Sequence, residues 1–293
     1  MLGLRCGMPW RRRDLLLSSV AMPLAAAHAA PRRLRIPHVS QRADLAHNYP
    51  AQLLKLALAE VGVAAELMPT PELVPQNRAL QELSRQGGKL DVVWTMTSSE
   101  REQQARAVRV PIFRDMYGWR LLLASPDVAE QMREVRTVND LRRFSLVSGL
   151  EWPDTGILQG NGLRVVVSAS YDAMFKQVRL GRVDAFPRSI EEIWWELDRY
   201  GQGLVIVPDV VVHYSAPIYF FVAPEDPELA TSIETGLQRL RTSGAFERLF
   251  LQYHGDDVAR AKLHSRHAIE LVNPMLLPRT PVDKLDISPR PQG

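Results

Sequence analysis

The 293-residue chain has one cysteine, Cys6, and only five lysines against 31 arginines. A single thiol excludes a disulfide framework and a thiolate-bound metal. Beyond residue 30 no apolar run reaches the roughly 20 residues needed to cross a bilayer. There is no basic excess beyond the front either. Of the formal +3, residues 1–29 supply Arg5, Arg11, Arg12 and Arg13 against Asp14, so the remainder carries equal numbers of basic and acidic groups. That removes the electrostatic footprint of a nucleic-acid binder. Histidines 38, 47, 213, 254, 264 and 267 are scattered. His264 and His267 lie three apart with no carboxylate at a ligand spacing, so no metal and no cofactor are expected. What the chain does have is 46% hydrophobic and 24% charged residues, the balance of a globular protein with a sizeable core.

The front has the layout of an export signal. Arg11, Arg12 and Arg13 precede an apolar run over 15–27 that ends in Ala27-His28-Ala29, an A-x-A cleavage pattern. Arg12-Arg13-Asp14-Leu15-Leu16 also resembles a twin-arginine signal. Cys6 precedes the run and so is no lipid attachment site. The reading is a segment 1–29 removed on export to the periplasm, leaving a mature chain without thiol chemistry.

From residue 34 short apolar strands alternate with amphipathic helices, the signature of an α/β protein. Strands are expected at 34–39, 64–68, 90–95, 117–124, 144–147, 163–167, 183–186, 204–207 and 218–222. Helices are expected at 50–61, 76–86, 100–107, 138–141, 154–159, 171–180, 189–200, 227–241 and 245–253, with a further helical stretch to about 267. The end is proline-rich (Pro274, Pro278, Pro281, Pro289, Pro291) and is expected to be extended or disordered.

Four motifs in this order resemble the periplasmic solute-binding proteins of extracellular solute-binding family 3, the amino-acid ABC transporter type. They are Leu90-Asp91-Val92-Val93-Trp94-Thr95-Met96-Thr97-Ser98-Ser99-Glu100-Arg101, then Tyr171-Asp172-Ala173-Met174 leading to Leu180-Gly181-Arg182-Val183-Asp184-Ala185. Next come Ala216-Pro217-Ile218-Tyr219-Phe220-Phe221-Val222 with Asp226-Pro227-Glu228-Leu229, and Gly244-Ala245-Phe246-Glu247-Arg248-Leu249. The resemblance covers roughly 34–254 and implies a two-lobed type 2 periplasmic binding fold. Its sheets would be mixed and mostly parallel, with two hinge-crossing strands near 119–123 and 214–219. Lobe one would be 30–119 plus 216–293, and lobe two 120–215. Residues after 255 fall outside it, and a lid, a wrap on lobe one or a docking surface are the roles left open for them.

Ligands in such folds bind where strand ends run into helix N-termini. The first candidate is Thr95–Arg101. Ser99 with Glu102 is spaced as a capping box, leaving helix N–H groups beside the Thr97 and Ser98 hydroxyls and the Arg101 guanidinium, a set suited to a carboxylate. The resemblance implies that role for Arg101. Facing it would be residues 149–155, with Trp152 and a helix started by Asp154 or Thr155. At the third position, 186–189, the family usually places an aspartate for an α-ammonium group, but here Arg188 and Ser189 stand there. An arginine cannot accept from an ammonium, so an acidic or otherwise hydrogen-bonding solute is expected, with Arg188 as a second anion contact. Asp44, Tyr49 and Trp94 are expected to border the cleft.

The expected function is non-enzymatic: a monomer that captures a small polar, carboxylate-bearing solute and delivers it to an inner-membrane ABC permease. Two alternatives share the fold. One is a ligand-sensing partner of a membrane sensor; the other is an enzyme similar to cyclohexadienyl dehydratases, for which no nucleophile–base pair appears at recognisable spacing.

Overall fold

Alternating apolar positions along the first strand, β1 (Arg32–Ile36), bury Leu34 and Ile36 and turn the arginines outward. The computed structural model describes residues 30–38 and 45–288, together with Gly3. The export segment and Asp44 therefore lie outside the described residues. Helix α1 (Tyr49–Glu60) starts where the Asn48 side chain accepts from the Ala51 N–H at 3.0 Å, with Pro50 in its first turn. It buries Leu53, Leu54, Ala57 and Leu58. Strand β2 (Ala65–Pro69) returns parallel to β1.

After Pro75 comes α2 (Gln76–Ser84), then β3 (Val92–Met96), α3 (Ser99–Gln104) and β4 (Arg106–Val108). A tight turn over Met116–Gly118 leads into β5 (Trp119–Ala124). The chain continues through α4 (Pro126–Met132), α5 (Val138–Leu141), β6 (Ser145–Gly149), α6 (Pro153–Gly160), β7 (Arg164–Ser168) and α7 (Tyr171–Arg179). There follow β8 (Ala185–Ser189), α8 (Ile193–Tyr200), β9 (Val205–Ile206), β10 (Val210–His213), β11 (Ile218–Val222), α9 (Pro227–Thr242), α10 (Ala245–Ala261) and β12 (His267–Glu270).

Two strand systems result. In one, β11 lies antiparallel between β3 and β4, and β1 pairs with β2. Asp91 joins them: its N–H donates to the Arg35 carbonyl at 2.8 Å, and its carboxylate accepts from the Arg35 N–H at 2.7 Å and from the guanidinium. Every residue of β11 is buried because both sheet faces are covered. The other system is a seven-stranded sheet, ordered β12-β10-β5-β8-β6-β7 with β9 on β5. Strands β6, β7 and β8 run parallel there, and β5 runs against them.

Between the two systems the chain passes at 114–118, at 214–217 and again at 271–275. The first two passes lie side by side. Asp115 accepts from the Ala216 N–H at 2.8 Å and from His213 Nε2 at 3.2 Å, while Gly118 O accepts from the Tyr214 N–H. A Cβ on Gly118 would lie 2.3 Å from the Tyr214 carbonyl oxygen, so only glycine allows this approach.

Several elements depart from the sequence expectation. The helix expected at 100–107 stops at Gln104, because Arg106, Ala107 and Val108 pair with β11. The helix expected to reach 267 stops at Ala261, and 267–270 form a strand on β10. Strand β10 and helix α4 are additional to the expected elements. The proline-rich end packs on the fold: the Tyr219 hydroxyl donates to Pro281 O at 2.5 Å and Leu285 is buried.

Candidate functional site

Trp94, Thr95 and Met96 end β3, and the chain then turns through Thr97 and Ser98 into α3. The cap is Ser98 and not Ser99: its hydroxyl accepts from the Arg101 N–H at 3.2 Å. Glu102 does not reach back to close a box. Its carboxylate accepts from the Thr97 hydroxyl at 2.7 Å and pairs with Arg109 at 2.6 Å.

Arg101 is buried, and its guanidinium is directed at neutral acceptors. Nη1 donates to Thr95 Oγ1 at 2.6 Å and Met96 O at 2.9 Å; Nη2 donates to Gln76 Oε1 and Asn77 Oδ1, each at 3.2 Å. Burial pulls its pKa down to about 10, with Asp154, Glu100 and Glu151 acting in the opposite sense.

The facing wall starts at Gly149, on which the Trp152 indole lies flat enough that a Cβ would meet it at 2.5 Å. Helix α6 begins at Pro153, with Trp152 as the preceding residue. The Thr155 hydroxyl donates to Gly149 O at 2.7 Å instead of facing the cleft.

A chain of alternating charges runs across this wall. Asp154 accepts from the Tyr214 hydroxyl and pairs with Arg120 at 2.5 Å. Arg120 reaches Glu192 at 3.6 Å, and Glu192 reaches Arg188 at 3.0 Å. Arg188 then holds Glu196 through two donors at 2.5 and 2.7 Å, and Glu196 accepts from the Tyr171 hydroxyl. Burial opposes the charge on Arg120 and Arg188, yet the neighbouring carboxylates outweigh it and hold both above the usual arginine value. Burial pushes Glu192 up. Arg188 also lies over the Trp152 ring at 4.8 Å, so its contacts are made within the protein.

Between the walls is a cavity of about 220 Å³, below the roughly 300–1,000 Å³ common for ligand sites. Trp94, Thr95, Trp152, Asp154 and Arg188, all singled out in the sequence, line it. Thr97, Ser98, Arg101 and Thr155 do not. Tyr49 borders a larger, open cavity of about 1010 Å³ that shares Gln76, Trp94, Phe113, Tyr117 and Glu192 with the first. The Tyr49 hydroxyl donates to Ile112 O at 2.7 Å, and burial raises its pKa. Sequence reasoning missed Gln76, Tyr117, Arg120 and Glu192. Two of them carried a signal: Arg120 as the one charge in the apolar strand WRLLLA, and Glu192 by its capping-box spacing from Ser189.

An ancestral arginine-binding protein bound to arginine superposes with a TM-score of 0.55 at 17% identity, over 75% of this chain and 97% of that one. The chain has the two-lobed periplasmic binding protein fold. A histidine kinase sensor domain with similarity to periplasmic binding proteins shares the fold at TM-score 0.54 and 18% identity, over 77% and 97% of the two chains. So does an ancestral amino acid-binding protein described as a precursor of cyclohexadienyl dehydratase, at 0.53 and 18%, over 75% and 94%. No family model matches the chain, and no curated protein does. The β1–β2 and β3–β11–β4 strands form one strand system and the seven-stranded sheet the other. The cavity is lined from both. Among the described residues no helix is long and apolar enough to cross a membrane, and no group of acidic, histidine or cysteine side chains is placed to hold a metal.

Proposed function

We propose that the protein is an exported, family 3-type solute-binding protein. It captures a small polar, carboxylate-bearing solute between its lobes and hands it to an ABC transporter in the inner membrane. The observation that carries this reading is the small polar cavity lined from both lobes: Gln76, Trp94 and Thr95 on one side, Arg120, Asp154 and Arg188 on the other. A solute that touches both walls binds the closed arrangement better than the open one, so binding shifts the population toward closure. The buried Arg101 guanidinium, hydrogen-bonded to Thr95 and Gln76 directly behind the first wall, has no carboxylate among those hydrogen-bond acceptors and gives that wall its positive character.

Thermal-shift screening of the mature protein against amino acids, dicarboxylates, polyols and aromatic acids tests the reading. A stabilising hit is expected, with Arg101→Ala weakening it at least tenfold. Unchanged affinity in Arg101→Ala removes the carboxylate assignment, and turnover of prephenate by the purified protein overturns the binding reading.

A further inference from the structure

The residues after α10 make a path that the two-hinge plan does not contain. Strand β12 joins the seven-stranded sheet, parallel to β10 from Val210↔His267 to His213↔Glu270. The Leu271 N–H still donates to His213 O at 2.8 Å. Asn161, at the end of α6, then clamps Val272 from both sides. Its side-chain oxygen accepts from the Val272 N–H at 3.0 Å, and its amide donates to Val272 O at 2.7 Å. The Asn273 amide donates to Ser215 O at 2.8 Å, on the second crossing.

Pro274 and Met275 run over two glycines one turn apart on α6. A Cβ on Gly160 would meet Pro274 Cγ at 3.0 Å, and one on Gly156 would meet Met275 Sδ at 3.2 Å. At Met275 the chain reaches the other lobe, where its carbonyl accepts from the Ser99 N–H at 2.8 Å, at the first turn of α3. Onward contacts stay there: Tyr219 with Pro281 O, and Arg241 with Asp283 at 2.9 Å.

Only Asn273 and Pro274, three residue steps in all, separate the α6 clamp at Val272 from the α3 contact at Met275. A fully extended chain spans at most about 3.6 Å per residue, so this link can stretch to roughly 11 Å. Separating α6 from α3 by more than that breaks one end. We infer that residues 271–275 are a third crossing, a tether that limits lobe opening and positions the start of α3 against the C-terminal end of α6. It explains why small residues stand at 156 and 160, where a side chain would push the tether off the helix. This depends on the two-lobed fold and not on which solute is bound.

Because the sequence holds only Cys6, lobe separation can be read with spin labels in a Cys6→Ser background, on Lys55→Cys in α1 and Lys176→Cys in α7, both exposed. Two variants loosen the tether: Asn161→Ala with Asn273→Ala, and a Gly-Gly-Ser insertion between Asn273 and Pro274, which lengthens its reach by roughly 10 Å. Without any ligand, the distance distribution is expected to be narrow in the unaltered chain. It should extend by up to about 10 Å in the insertion variant and broaden in the double alanine variant, with far-ultraviolet circular dichroism unchanged. Distributions that match the unaltered chain in both variants overturn the inference. So does loss of fold in both, because a tether is dispensable to the core of either lobe. Failure of the solute screen with widened distributions here would reject the proposed ligand and leave the tether standing.

Discussion

Glu196→Gln is the sharpest test of the charge chain. The Glu196 and Arg188 side chains are 0% and 2% exposed, and two hydrogen bonds at 2.5 and 2.7 Å join them. Removing one partner of such a pair leaves an uncompensated buried charge, which costs about 3–5 kcal/mol. Glu192 remains 3.0 Å from Arg188 and softens the loss, placing the expectation near the lower bound of about 3 kcal/mol. The Tyr171 hydroxyl also loses its carboxylate acceptor. For a chain of this size each kcal/mol moves Tm by roughly 2–4 °C, so Glu196→Gln should melt about 6–12 °C lower by calorimetry. Removing both charges should cost much less: Arg188→Met with Glu196→Leu is expected within about 1 kcal/mol of the unaltered protein, since a hydrophobic replacement of a buried pair is often neutral. A drop of less than about 2 °C in the single variant, or a double variant less stable than the single, would refute this account of the wall.

Three further outcomes follow from close contacts and titration. A Cβ on Gly236 would sit 1.9 Å from the Ala57 carbonyl oxygen, so Gly236→Ala should force α1 and α9 apart and lower stability by about 3 kcal/mol in urea unfolding, with the m value unchanged. Gly149→Ala should push the Trp152 indole off the cavity wall, read as a shifted tryptophan emission with little change in melting temperature. His213 is opposed by burial, but hydrogen bonds to Asp115 and Glu270 hold its pKa above 6.5 in the folded protein. Its contribution is therefore fully present below the unfolded value and lost as pH rises through the folded one. His213→Gln should flatten the pH dependence of Tm over that window, and an unchanged profile would remove His213 from the balance.

Much of the fold was legible because its signals are local. Val138–Leu141 and Ile218–Val222 appear with the expected bounds, since Thr137 makes a capping box for one and an unbroken apolar run marks the other. What escaped depends on distant partners. The three residues of β4 and the four of β12 are strands only because β11 and β10 offer them edges, over a hundred and over fifty residues away in the chain. The same reason governs the site. The loop 95–101 and the turn at 149–155 announced themselves through Ser, Thr and Gly, although the cap moved by one residue to Ser98. Arg188 was read as open to an anion because its partner, Glu196, faces it only once β8 and α8 are packed. Gln76 gave no local sign, and Glu192 stood out only by its capping-box spacing from Ser189, whose hydroxyl in fact accepts from the Glu191 N–H.

Alternation of sign along the wall also shapes what a solute experiences before it arrives. Asp154, Arg120, Glu192, Arg188 and Glu196 succeed one another at 2.5 to 3.6 Å, three carboxylates against two guanidiniums, so most of their field cancels over short distances. At one Debye length, about 8 Å in physiological salt, only the single excess carboxylate charge of this set still acts, and salt screens it. On the proposed solute-binding reading, steering toward the cleft is weak and ionic strength is expected to have little hold on the rate of capture. On that reading selection falls to contact, to the few donors and acceptors within the cavity.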